Sequence, residues 1–205
     1  ILVCLVGSEM CIRDSYLIDN FFWSGTNIRE DEYGGSIENR SQFVSDIIKS
    51  VRENVSENFI VGLRFSQWKQ HDFEAKLASN PEELKTMLTS PVESGLDYLH
   101  SSMRRFWESE FAGSQENLAY WTKKITKIPT IGVGSVGLDS DFIDMTAPAT
   151  PTSIDKAIDD ITNDKYDLIA VGRALLSDHE WVLKMKEGRV NDVIPYTKDA
   201  LLNLY

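Results

Sequence analysis

Cysteine is almost missing from this chain: Cys4 and Cys11 are its two examples in 205 residues. Both lie at the N-terminal end, and neither shares a spacing with a histidine pair. No disulfide framework and no metal-ligand set can be read from them, and this usage fits a reducing cytoplasm. Histidine is scarce as well, with three residues. Positive charge is in deficit: 21 Lys and Arg stand against 32 Asp and Glu, a net charge of −11. Binding to a phosphate backbone needs a basic face, so nucleic acid is set aside as a partner. No apolar run approaches the roughly 20 residues that a membrane helix requires, which sets the membrane aside too.

What the chain does have is an alternation of strand and helix patterns. Phe59–Phe65, Asp97–Ser101, Pro129–Val136 and the segment DLIAVG (Asp167–Gly172) read as strands. The apolar run Leu168–Val171 predicts a strand buried on both faces, as parallel strands are. Helices are expected near 37–55, where Ile37, Phe43, Val44, Ile47, Ile48 and Val51 recur at helical spacing, and near 81–94, started by Asn80-Pro81. Others are expected near 115–126, 153–161 and from Arg173 to about Lys186. The strands end at Arg64, Ser101, Gly134 and Arg173, which lie 37, 33 and 39 residues apart, each the length of one strand–helix unit. That period predicts an α/β fold with a parallel sheet, either open or closed into a barrel.

In a barrel, function collects at the C-terminal ends of the strands, and phosphate is held by the loops after the last two. Here those loops are Gly134-Ser135 and Gly172-Arg173. Glycine lets backbone N–H groups approach an anion, a helix start adds partial positive charge, and arginine offers a planar fork of donors. Gly132, Gly134 and Gly137 match a dinucleotide-binding G-x-G-x-x-G literally. The first two lie inside the expected strand and no apolar helix follows, so the match is read as chance.

The order N-x-R-x-D-x-Y-G-G-S-x-E-N-R (Asn27–Arg40), V-G-L-R-F-S, Y-L-H-S-S, I-G-V-G-S-V-G and V-G-R-A-L-L resembles the Old Yellow Enzyme family of flavin-dependent ene-reductases, also called NADH:flavin oxidoreductases. The resemblance runs from Tyr16 to about Trp181. It implies the C-terminal half of a TIM (β/α)8 barrel that binds FMN, takes hydride from NADH or NADPH, and reduces activated alkenes of the enoate or enone type. Carried over by position, Arg64 would face the pyrimidine edge of the flavin and stabilise negative charge there. Gly134 and Ser135 would give backbone N–H groups to the FMN phosphate, and Gly172 and Arg173 would complete that site. The competing reading of Arg64 is a salt bridge at the barrel rim.

The resemblance also implies a departure. The family's substrate-binding histidine pair falls on Cys11 and Asp14, with Ser15 at a glycine position. A thiol is a weak donor and an ionised carboxylate only accepts, so neither can polarise a carbonyl. The first half of the barrel, with its catalytic tyrosine, has no counterpart. LVGSEMCIRDS resembles the translated read-through of a sequencing adaptor. Residues 1–15 are therefore expected to be a non-native or disordered leader, and 16–205 a partial barrel, a fragment with little turnover alone. The apolar start ILVCLVG equally reads as a buried strand or a signal-peptide core.

His100 is read as structural, because His100 and Ser101 are adjacent on a strand and point to opposite faces. His71 and His179 are expected at the surface. Asp139, Asp141 and Asp144 lack the spacing of a calcium loop, and no metal site is assigned. Phe106, Trp107 and Phe111 are expected either to line a pocket or to cover the barrel mouth. Arg104 and Arg105 are left between nicotinamide-phosphate contacts and solvated charge. The alternatives kept beside the flavin enzyme are a phosphate-binding isomerase or lyase without flavin, and a non-catalytic half-barrel that self-associates into a homo-oligomer.

Overall fold

The computed structural model describes residues 7–12 as backbone, and residues 16–69, 72–140 and 148–202 in full. Five strands form one parallel sheet in sequence order: β1 (Gly7–Ile12), β2 (Ile60–Phe65), β3 (Tyr98–Ser102), β4 (Thr130–Val133) and β5 (Leu168–Ala170). Helices α1 (Leu17–Phe22), α2 (Ile37–Asn54), α3 (Pro81–Glu93), α4 (Leu118–Thr126) and α5 (Asp155–Thr162) run between them. Two short helices follow β5, α6 (Arg173–Ser177) and α7 (Trp181–Lys186). Neighbouring strands in sequence order, each followed by a helix, make a partial (β/α)8 barrel.

Helix starts are set by local chemistry. The side chains of Ser36, Asn80 and Asn117 accept hydrogen bonds from Asn39, Glu83 and Tyr120 N–H groups, satisfying first-turn donors of α2, α3 and α4. Pro81 takes the first position of α3, where its missing N–H costs nothing. The core lies between the sheet and α2, α3 and α4. Val61, Leu63 and Phe65 alternate along β2 and are fully buried with Val44, Ile48, Leu84, Met87, Leu88 and Leu99. Ile60, Gly62 and Arg64 therefore share the opposite face, the inner wall of the partial barrel.

The four strands read from sequence are found, and a further one precedes them. Within the stretch 1–15, Gly7–Ile12 pairs in register with β2, Cys11 opposite Arg64. Residues 1–6 and 13–15, with Asp14 and Ser15, lie outside the described residues. The double-sided burial expected for Leu168–Val171 needs correction. Leu168 is 60% exposed and Ile169 and Ala170 are partly so, because β5 is an edge strand of this sheet. The single helix expected after it is also two. Asp178 ends α6 in extended conformation, and its carboxylate accepts the N–H groups of Glu180 at 3.0 Å and Ile194 at 2.9 Å. Such local side-chain bonds offer the backbone an alternative to continuing the helix.

Candidate active site

Arg64, Gly134, Ser135, Gly172 and Arg173 come from β2 and from the loops after β4 and β5, and all five line one cavity of about 160 Å³ at the C-terminal ends of the strands. Trp68, Ser102, Met103, Arg104 and Leu138 line it with them. Among the described residues that line this cavity are three arginines and no acid, in a chain of net charge −11. Clustered charge of one sign beside low-dielectric walls focuses potential, here a positive one suited to an anion.

The loops that shape it are laced together. Met103 N–H donates to Val133 O at 2.8 Å and Phe106 N–H to Gly134 O at 3.0 Å. Ser135 Oγ donates to Arg104 O at 3.0 Å and accepts from Arg173 Nη2 at 3.1 Å. Arg173 Nη2 also donates to Ser140 O at 2.6 Å, and its guanidinium lies 5.4 Å from the centre of the Tyr196 ring. Gly134 is required by this lacing: a Cβ there would come within 2.7 Å of Met103 O. Ser135 (φ 52°) and Gly137 (φ 72°) take left-handed backbone to turn the chain, and Trp181 leaves no room for a side chain on Gly137. Gly172 differs, since a Cβ there would meet nothing within 4 Å. Its N–H and those of Gly134 and Ser135 donate to no described residue outside sheet and helix bonds.

Arg64 projects from the inner face of β2. Its Nη2 donates to Ser102 Oγ at 3.3 Å, and its buried Nε has no hydrogen-bond partner. Among the described residues it pairs with no carboxylate, so the rim salt bridge is not formed with them. His100 stands opposite Arg64 in register, whereas Ser101 Oγ donates to Thr122 of α4 at 3.0 Å on the other face.

Phe106 and Phe111 are buried in the core and Trp107 packs against it, and the aromatic residue lining this cavity is Trp68. Trp68 sits three residues beyond β2, and Ser102 and Arg104 sit at the end of β3 and two residues past it. Trp68 and Ser102 were missed in the sequence; position at or just after a strand end is the signal that could have found them. Lys69, next to Trp68, is fully buried and forms a salt bridge with Asp19 of α1, 5.4 Å from the Trp23 ring centre. His179 is exposed; His71, Asp141 and Asp144 lie outside the described residues, and Asp139 accepts from Thr150 N–H at 2.8 Å. Among the described residues no helix is long and apolar enough to cross a membrane.

The model of the NADH:flavin oxidoreductase / NADH oxidase family matches residues 7–192. The chain belongs to this family. As an NADH:flavin oxidoreductase family member it is 34% identical over 195 residues to the NADH oxidase of Thermoanaerobacter brockii, a match covering 91% of this chain and 27% of that protein. It is 29% identical over 201 residues to the cinnamate reductase of Clostridium sporogenes, covering 90% of this chain and 28% of that one. The solved structure of morphinone reductase in complex with tetrahydroNAD superposes with a TM-score of 0.65 at 21% identity, over 88% of this chain and 43% of that one. This likeness shows the fold, a partial (β/α)8 barrel, and the family match identifies it as that of the Old Yellow Enzyme family. The family's cofactors are FMN and NAD(P)H. The chain spans about a quarter of the length of those two curated relatives.

Proposed function

We propose that this chain carries the phosphate end of the flavin site of an FMN-dependent oxidoreductase that takes hydride from NAD(P)H and reduces activated alkenes. The observation that carries the reading is the meeting of Arg64, Gly134, Ser135, Gly172 and Arg173 around one cavity whose described lining holds three arginines and no acid.

The residues fit the group. Open space in front of Gly172 leaves room for an anion to approach backbone N–H groups, and the buried Nε of Arg64 has a donor to offer. Gly134, Ser135 and Gly172 would hold the phosphate by their N–H groups, with Arg173 closing over it from a position fixed by Ser135 and Ser140. Arg64, held by Ser102, would donate to the pyrimidine edge and favour negative charge there. FMN, when bound, supplies the hydride relay between the nicotinamide and the alkene.

Titration of the full chain with FMN, followed by quenching of flavin fluorescence, tests the reading. Saturable binding that R173A weakens about a hundredfold is expected; a chain that leaves the flavin signal unchanged would sink it. Steady turnover by the 205-residue chain is expected to be slow, because the described sheet ends in two edge strands, β1 and β5, and does not close.

A further inference from the structure

We propose that Tyr196 is a positioning residue for the cofactor site: its ring, brought in by the C-terminal segment, sets the tilt of the Arg173 guanidinium toward the flavin phosphate. This rests on the flavin reading above and deepens it, because it gives a task at that site to a residue outside the cavity.

Tyr196 is not among the residues that line the cavity. It is 5% exposed, and the Arg173 guanidinium stands over its ring, 5.4 Å from the centre. The hydrogen bonds from Arg173 to Ser135 Oγ and Ser140 O both leave from Nη2 and hold one corner of the group. A ring face acts on the middle of the plane and so bears on its tilt. It also leaves the in-plane N–H groups to a phosphate, whereas a carboxylate in the same place would compete for them.

The ring is itself held from two sides. Tyr196 N–H donates to Ala149 O at 3.1 Å, and Ala149 N–H to Tyr196 O at 2.9 Å. The stretch that begins at Ala149 is bonded in turn to the loop after β4. Asp139 N–H donates to Thr150 O at 3.0 Å, Thr150 N–H to Asp139 Oδ1 at 2.8 Å, and Thr152 N–H to Gly137 O at 2.9 Å. On the other side, α6 begins at Arg173 and is ended by Asp178, whose carboxylate accepts Ile194 N–H at 2.9 Å. The segment 194–196 is therefore tied to both ends of α6 and, through Ala149, to the loop that presents Gly134 and Ser135. A side chain fixed in this way orients its neighbour before the ligand arrives, which lowers the ordering cost of binding. Removing the ring should act on the phosphate and spare the ring system of the flavin.

The test titrates the full chain with FMN and with riboflavin, the same ring system without the phosphate, following flavin fluorescence. Y196L is expected to weaken FMN about tenfold and to leave riboflavin within about twofold, the size of one partly desolvated cation–ring contact. Y196F, which keeps the ring, should retain FMN affinity within about twofold. On an R173A background, Y196L should add less than about twofold, because the ring acts through that arginine. Y196M, which fills more of the buried space without a ring, takes the place of Y196L should the latter unfold. Equal weakening of FMN and riboflavin would overturn the proposal in favour of plain packing support. So would a loss in Y196F as large as in Y196L, or a full additional loss on the R173A background. If wild type and Y196L bind FMN equally, only the role of Tyr196 is lost; if the wild-type chain takes up no FMN, the flavin reading goes with it.

Discussion

The two ends of the sheet follow opposite electrostatic plans. At the N-terminal end each of two strand pairs is closed by an acid. Asp97, just before β3, accepts Val61 N–H of β2 at 2.6 Å, and Asp167, just before β5, accepts Thr130 N–H of β4 at 2.8 Å. A cation from a helix pairs with each, Arg52 of α2 with Asp97 and Lys123 of α4 with Asp167. Arg52 also donates to Gly95 O and Phe59 O, both at 2.6 Å. At the C-terminal end, arginines line a cavity with no acid among its described lining residues. Where charge is matched residue by residue the structure is closed on itself. Where charge of one sign is gathered against glycine backbone, a partner from outside is called for, which is the division of labour expected of a barrel.

The largest effect expected from breaking this division comes from the buried pair behind the C-terminal loops. D19A leaves the Lys69 ammonium without its buried carboxylate, which costs about 3–5 kcal/mol. A denaturant melt measures it, and a loss below about 1 kcal/mol would mean that water reaches Lys69. R173A comes next: the fold is expected to persist while FMN affinity falls about a hundredfold, in line with about 2–5 kcal/mol for losing one side of a buried charge-assisted contact. G134A inserts a methyl group against Met103 O and Phe106 N and is expected to cost about 1–3 kcal/mol, with a matching displacement of the Arg104 loop. G172A, facing open space, serves as its counterpart. It should leave the melt nearly unchanged and weaken FMN alone.

Much of this was legible in the residues. The period of Arg64, Ser101, Gly134 and Arg173 marks strand ends because a parallel strand must be followed by a crossover of similar length each time. The site residues followed from their place at those ends. Other features were hidden for physical reasons. GSEMCI, at Gly7–Ile12, has little strand propensity, and its pairing with β2 is a tertiary effect. The apolar run of β5 signals burial, yet burial also depends on a neighbour strand that β5 lacks in this sheet. Lys69 and Asp19 lie fifty residues apart and carry no shared sequence signal; they meet only when the loop after β2 folds onto α1. Phe106 and Phe111 were ambiguous because aromatic residues serve cores and pockets alike.

At the closed end the effects are smaller and should not reach the cavity. D97N keeps an acceptor for Val61 N–H and loses the charge facing Arg52; a cost of about 1 kcal/mol is expected, with FMN affinity unchanged. A loss of FMN affinity in D97N would show that the two ends are coupled and the comparison too simple.

The smallest effect concerns acid. Burial by itself would raise the Asp178 carboxyl, but Lys184 at 2.8 Å and the N–H groups of Ile194 and Glu180 outweigh it and hold the group below the usual carboxylate range. A carboxylate depressed in the folded state contributes stability that is present above its unfolded value, about 3.9, and is lost as pH falls through the folded value. Acid should therefore loosen the joint between α6, α7 and Ile194 first, below about pH 4. D178N should flatten the acid limb of the melting-temperature profile and lower its neutral plateau slightly. If the wild type and D178N lose stability in parallel down to pH 2, the Asp178 carboxylate does not govern the acid response. The C-terminal segment would then be held by packing of Trp181 and Val193 rather than by this charge.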